Sequence, residues 1–236
     1  MEKYELNPNF TVKVIHIESE NEDIIIVDNF LKSLQPVFNF ATQYAYLQPP
    51  GSDGTLYPGK RDDMPTPYFR VFSELIDTLL QNKRLKTADR NLYLHRCKLS
   101  LVTQKPDQLA PLQRIPHIDS SDDKSYASVH YLVGPEFGGT TIYRYKPHNL
   151  IKITKDKEQL AFDMIKQAQE CADEHQGYLN SNTTLFEQVV NIEAKVNRVI
   201  IYKSNLLHSA NIMDNINFNA DIRTGRLSVA SFFRID

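Results

Sequence analysis

The chain carries seven histidines among 236 residues, and one of them stands two places before an aspartate: His117-Ile118-Asp119, in the stretch RIPHIDSS. On an extended backbone, residues i and i+2 point the same way. An imidazole nitrogen and a carboxylate oxygen can then grip one divalent ion together. The spacing alone is weak. With 29 Asp and Glu in the chain, about 0.9 such pairs arise by chance, and a second pair does occur, His16-Ile17-Glu18. A metal that keeps positions open for substrates needs one more ligand, and the arrangement of two histidines and one carboxylate takes it from a distant strand. His208, in SNLLHSANI just after the aliphatic run NRVIIYK, is placed to supply it. His16 has no such surroundings and reads as an ordinary residue of an N-terminal strand.

A second chemical signature lies near the C-terminus. TGRLSVASFF sets Arg226 and Ser228 two apart at the start of an apolar strand. An arginine that enters a core there demands an anionic partner, and a planar fork beside a hydroxyl suits a carboxylate. Arg223 is a rival for that role, although it precedes the strand. Other polar residues stand near the metal signature. Gln113 and Arg114 either shape a substrate entrance or fix their own loop. His130 and Arg144, on predicted strands, either line a pocket or belong to packed and solvated faces.

The elements that must hold these groups follow from periodicity. Residues 10–18 and 23–31 read as short strands, or as a strand and a helix start, and the aromatic residues of 31–47 recur at near-helical spacing. Residues 48–67 hold eight prolines and glycines in twenty positions, the mark of a long loop, either a lid or a plain surface excursion. Phe69, Phe72, Leu75, Ile76 and Leu79 form a helical stripe. From residue 91 the period shortens to two, and NLYLHRCKLSLVT, SYASVHYLVG, GGTTIYRYK, LFEQVVNIEA, NRVIIYK and LSVASFFRI read as strands. Pro135 and Gly138-Gly139 between the second and third of these predict a hairpin. Residues 155–176 form a helix that Gly177 closes.

Composition bounds the rest. The net charge of −2, with no basic run, argues against a nucleic-acid partner. The first ten residues lack a secretory core, and the longest early aliphatic run, Ile24 to Val27, is too short for a bilayer. These features predict a cytoplasmic protein with no membrane partner, whose two cysteines, Cys97 and Cys171, are free. A homodimer is the default oligomer. The outline is mainly β with flanking helices.

The motifs SLVTQKPDQLAPLQRIPHID and HYLVGPEFGGTTIYRYKPHN, with His208 and Arg226-x-Ser228, resemble the iron(II)- and 2-oxoglutarate-dependent dioxygenases of the prolyl-hydroxylase type. More narrowly, they resemble the bacterial DUF6445 family. The resemblance covers roughly residues 92–235 and implies a double-stranded β-helix (jelly roll) core. One domain, 1–236, would then comprise N-terminal helical and strand support at 1–90, core at 91–150 and 178–236, and a helical insertion at 151–177. It implies His117, Asp119 and His208 as ligands of Fe(II). It also implies Arg226 and Ser228, with Tyr131 nearby, as the cosubstrate site for 2-oxoglutarate, and O2 as co-reactant. The implied reaction hydroxylates an amino-acid, peptide or other small-molecule substrate and releases succinate and CO2. A carboxylate at Asp119, where related halogenases keep a small residue, favours hydroxylation over halogenation. His208 and Arg226 are 18 positions apart, more than the usual spacing of relatives. Two other classes stay open: a cupin-like metal protein without 2-oxoglutarate, and a non-catalytic jelly-roll binding module.

Overall fold

The computed structural model describes residues 3–236. Ten strands and three α-helices follow in the order β1 (Thr11–Ile17), β2 (Glu22–Asp28), α1 (Gln35–Gln43), β3 (Gly59–Asp63), α2 (Thr66–Gln81), β4 (Leu92–Val102), β5 (Ser125–Tyr131), β6 (Gly139–Tyr145), α3 (Glu158–Glu170), β7 (Phe186–Glu193), β8 (Arg198–Lys203), β9 (His208–Asn211) and β10 (Leu227–Ile235). They build a seven-stranded sheet, β1-β2-β8-β5-β10-β4-β3, and a three-stranded sheet, β7-β6-β9. Every strand pair is antiparallel. No helix among the described residues is long and apolar enough to cross a membrane.

The run Ile24-Ile25-Ile26-Val27 explains the layering. A strand that is apolar at every position must be covered on both faces. Ile25 and Val27 join one hydrophobic cluster with α2 residues such as Phe72, Leu75 and Ile76. Ile24 and Ile26 join another with Tyr131 and Ile142. The large sheet therefore carries α2 on its outer face and faces β6 on its inner one. Any side chain that is to meet the small sheet must have the parity of Ile24 and Ile26.

That parity decides two residues. On β5, Tyr131 belongs to the inner cluster, so His130 must point outward. It is fully buried there: Nδ1 lies 3.1 Å from the Tyr68 hydroxyl, Nε2 lies 3.3 Å from Asn197 Oδ1, and Phe30 packs edge-on. The pocket role for His130 is thus overturned, because adjacent strand residues cannot share a face. Burial holds its imidazolium down to about 3, against about 6.5 for the unfolded chain. Between those values the unfolded chain binds a proton that the folded one does not. Stability should fall as pH drops from about 6.5 toward 3, at up to about 1.4 kcal/mol per pH unit from this site. We expect His130→Gln, which keeps polar atoms but cannot titrate, to flatten the pH dependence of urea unfolding in that acidic range. Equal slopes for the two proteins would refute the assignment.

The expected hairpin between β5 and β6 does not form. Both edges of β5 are taken, by β8 and β10, so no edge remains for β6. Instead the chain crosses to the small sheet at Gly138-Gly139. Gly138 has φ +93°, and a β-carbon there would run into the Asn211 carbonyl, while one at Gly139 would meet the Ile192 carbonyl. The glycines serve a close backbone crossing rather than a two-strand turn. The 48–67 stretch differs from expectation too. It contains β3, an edge strand paired to β4, and Gln48 forms a bridge to Arg61 on its far side. The Gly177 helix stop is displaced: α3 ends at Glu170, and Gly177, at φ +96°, follows a short 3-10 turn.

Candidate metal centre and cavity

His117 and Asp119 lie in an extended segment rather than a full strand. The segment is pinned to the free edge of β9 by reciprocal backbone bonds of 2.9 Å between His117 and His208, and by Asp119 N donating to Ser204 O at 2.8 Å. The bridge sets the two histidines side by side, with ring centroids 4.5 Å apart, and i, i+2 geometry brings Asp119 to the same side. His208 Nε2 stands 3.4 Å from Asp119 Oδ2, and His117 Nε2 stands 4.0 Å from Asp119 Oδ1. One donor atom from each residue lies within 4.8 Å of the others. Adjacent ligands of one ion, with bonds of about 2.0–2.2 Å, sit about 3 Å apart, so a small side-chain rotation suffices to close the triangle.

The donor set fits a metal for a further reason. His208 Nδ1 is bonded to Leu206 O at 2.9 Å, which fixes the ring and leaves Nε2 directed at the cluster. Among the described residues, His208 Nε2, the His117 ring and the Asp119 carboxylate have no hydrogen-bond partner and meet only one another. His117 opens on a cavity, and its side chain is half exposed there. Burial first, then the charge of His208, hold its imidazolium down to about 4, with Asp119 pulling the other way. The imidazole is therefore neutral near pH 7, the form that binds metal.

The cavity holds about 490 Å³. It is walled by both sheets, by α3 through Ala161, Met164 and Ile165, and by the segment from Thr55 to Pro58. Arg226 and Ser228 line it. Arg226 is 3% exposed and donates from Nε to Phe137 O at 3.1 Å and from Nη2 to Gly139 O at 3.0 Å. The glycine crossing thus also seats the guanidinium. Among the described residues no carboxylate pairs with it. Arg223 sits on an exposed loop and does not line the cavity. Tyr131 is not in the wall. Its hydroxyl is bonded to Thr140 Oγ1 at 2.6 Å, and its ring lies 6.0 Å from the Arg226 guanidinium. Burial lifts its phenol to about 12, so it supports the arginine as a neutral group.

Of the residues proposed for the substrate side, only Gln113 lines the cavity. It also latches the rim, donating to Leu56 O at 2.8 Å and to Gln104 Oε1 at 3.0 Å. Arg114 fixes its own turn through Leu109 O at 2.9 Å. Arg144 faces away, paired across strands with Glu187 at 3.1 Å; both therefore drop out of the pocket. Sequence reasoning missed Tyr57 and Arg61. Both line the cavity, with the Arg61 guanidinium 4.0 Å above the Tyr57 ring, and among the described residues the buried Tyr57 hydroxyl has no hydrogen-bond partner. A signal was present: Arg61 alternates with Asp63 and Gly59 on a strand that happens to lack apolar residues.

A family model described as a family of unknown function (DUF6445) matches residues 8–233. No curated protein matches the chain. Solved structures similar to it include HygX from Streptomyces hygroscopicus with nickel and 2-oxoglutarate bound, at 13% identity over 89% of this chain and 82% of that one, with a TM-score of 0.49. EvdMO1 is similar at 14% identity and a TM-score of 0.44, over 95% of this chain but 55% of that one, so the chain spans about half its length. These likenesses are too distant to place any residue.

Proposed function

Because the chain belongs to the DUF6445 family, whose function is unknown, its activity has to be read from its own side chains, and we propose that it is a non-haem iron(II)- and 2-oxoglutarate-dependent oxygenase of the hydroxylating type. One observation carries this: three partnerless metal donors and a buried guanidinium without an anion open on the same cavity. A metal-only site of the cupin kind has no use for Arg226, and a binding module has no use for the triad. The two facing sheets would be the halves of a double-stranded β-helix.

In this reading His117, Asp119 and His208 would hold the iron. Bound iron, with 2-oxoglutarate and O2, supplies an oxidative decarboxylation that yields succinate and CO2 and places one oxygen atom on the substrate. Arg226 binds the far carboxylate of 2-oxoglutarate through a fork that its carbonyl partners already orient, and Ser228 donates beside it. The free Tyr57 hydroxyl takes the place in the wall that Tyr131 was expected to fill. Ile115, Ile118, Ile153 and Met164 give the site an apolar wall. The substrate is an amino acid, peptide or other small molecule, and free Cys97 and Cys171 suit a reducing cytoplasm.

Anaerobic addition of iron(II) and 2-oxoglutarate should produce a weak visible charge-transfer band near roughly 500 nm, which needs both components on one metal. No band at saturating concentrations of both would overturn the reading.

A further inference from the structure

We propose that Arg61 anchors an anionic group of the substrate, so that the enzyme selects a molecule carrying a carboxylate on an apolar body. This rests on the oxygenase reading above. The strand registers set Arg61 opposite Ser100, Ser100 opposite Ser228 and Ser228 opposite Tyr131. These residues form one row across the large sheet on its inner face. Arg61 is two strands from Ser228, about 10 Å at ordinary strand spacing, and lines the same cavity.

The 2-oxoglutarate molecule carries two carboxylates. In the oxygenase reading one would be held at the metal and the other by Arg226. A second guanidinium on the same cavity is left for a different anion. Arg61 is built for directional binding. Nε donates to Ser100 Oγ at 3.1 Å, Nη1 donates to Asp53 Oδ2 at 3.3 Å and to Thr55 Oγ1 at 3.2 Å, and the fork lies on the Tyr57 ring. Nη2 makes no hydrogen bond among the described residues. A planar fork locked on three sides with one arm free is pre-oriented for an acceptor. Asp53 does not line the cavity and cancels much of the long-range charge. Recognition therefore rests on short charge-assisted hydrogen bonds, which a neutral amide carbonyl accepts more weakly than a carboxylate. The neighbouring wall is aliphatic, with Leu112, Ile115, Met164 and Ile165. Leu56 and Leu112 are exposed, so apolar contact continues to the rim.

Octanoate and octanamide serve as probes, titrated calorimetrically into protein loaded with nickel(II) and 2-oxoglutarate. Octanoate should bind at least roughly fivefold tighter than octanamide, and Arg61→Gln should bring the ratio to about one. Asp53→Asn, which leaves the guanidinium without its counter-ion, should raise the ratio above that of the wild type. A purely structural Arg61 would not produce that gain. No carboxylate preference in the wild type, or an unchanged ratio in Arg61→Gln, overturns the proposal. So does an Arg61→Gln protein that loses 2-oxoglutarate but keeps the octanoate preference, since this would assign Arg61 to the cosubstrate. If the wild type takes up no nickel and 2-oxoglutarate, the oxygenase reading fails separately. The same ratio is then read in metal-free Arg226→Leu, where Arg61 is the remaining arginine of the cavity and the same outcomes decide.

Discussion

Asp119→Asn strips the chain of its metal while leaving the fold in place. The Asp119 carboxylate accepts no hydrogen bond from protein among the described residues; its polar contacts are the two histidines, at 3.4 and 4.0 Å. What holds the segment is backbone: Asp119 N on Ser204 O and the reciprocal His117–His208 pair. An amide of nearly the same volume breaks none of these. Metal-free stability should change by no more than about 0.5 kcal/mol, as at a substitution that disturbs no packing or network. Affinity is another matter. The site has one anionic ligand, and an amide oxygen cannot replace its charge. Changing groups that merely orient metal ligands already costs 10–100-fold, so loss of the charged ligand itself should exceed roughly 100-fold. Equilibrium dialysis against iron(II) under argon, with thermal unfolding of the metal-free protein, reads both quantities. His208→Ala should lose the metal as fully but also destabilise, because Leu206 O loses its partner and the edge-on contact with Tyr202 at 4.8 Å disappears. Wild-type metal affinity in Asp119→Asn would remove the metal centre from the interpretation.

What could be read from the sequence was what local backbone geometry dictates. His117 and Asp119 share a side because extended residues two apart do so. The same rule carries Arg226 and Ser228, and both pairs stand on the cavity. It was misapplied on β5, where Tyr131 and His130 were both offered to the pocket although neighbours on a strand face opposite ways. The errors elsewhere are non-local. Nothing in GPEFGG reveals that β8 and β10, which come later in the chain, occupy both edges of β5 and leave β6 to the other sheet. Likewise GKRDD carries no apolar alternation. Its strand character comes from pairing with β4, some 39 residues away at the Arg61–Ser100 contact, and Tyr57 and Arg61 enter the cavity only through that pairing. The Pro- and Gly-rich composition described the segment's turns correctly and concealed the strand between them.

Arg226→Met should abolish 2-oxoglutarate binding at little cost to the protein without ligand. An arginine that exists for structure behaves in the opposite way. In the ligand-free chain the guanidinium is buried, donates to two carbonyls and has no anion, an arrangement that costs several kcal/mol. Methionine fills much of the same volume and removes that cost. Against this, Phe137 O and Gly139 O lose donors, at about 1–3 kcal/mol each if they stay dry, although the open cavity gives water a way to them. The opposing terms are similar in size, so the net change in unfolding free energy should stay within about 1 kcal/mol, small beside the usual penalty of roughly 3–5 kcal/mol for breaking a buried ion pair. The ligand has no such compensation. Its far carboxylate would enter a pocket lacking the one charge able to meet it, a loss of about 2–5 kcal/mol, or roughly 30-fold or more in affinity. Nickel(II) binding, which depends on His117, Asp119 and His208, should be untouched. Calorimetry with nickel(II) followed by 2-oxoglutarate separates the two steps in one sample. A variant that unfolds several degrees earlier, yet binds 2-oxoglutarate normally while folded, would make Arg226 a brace for the glycine crossing and leave the cosubstrate to another residue.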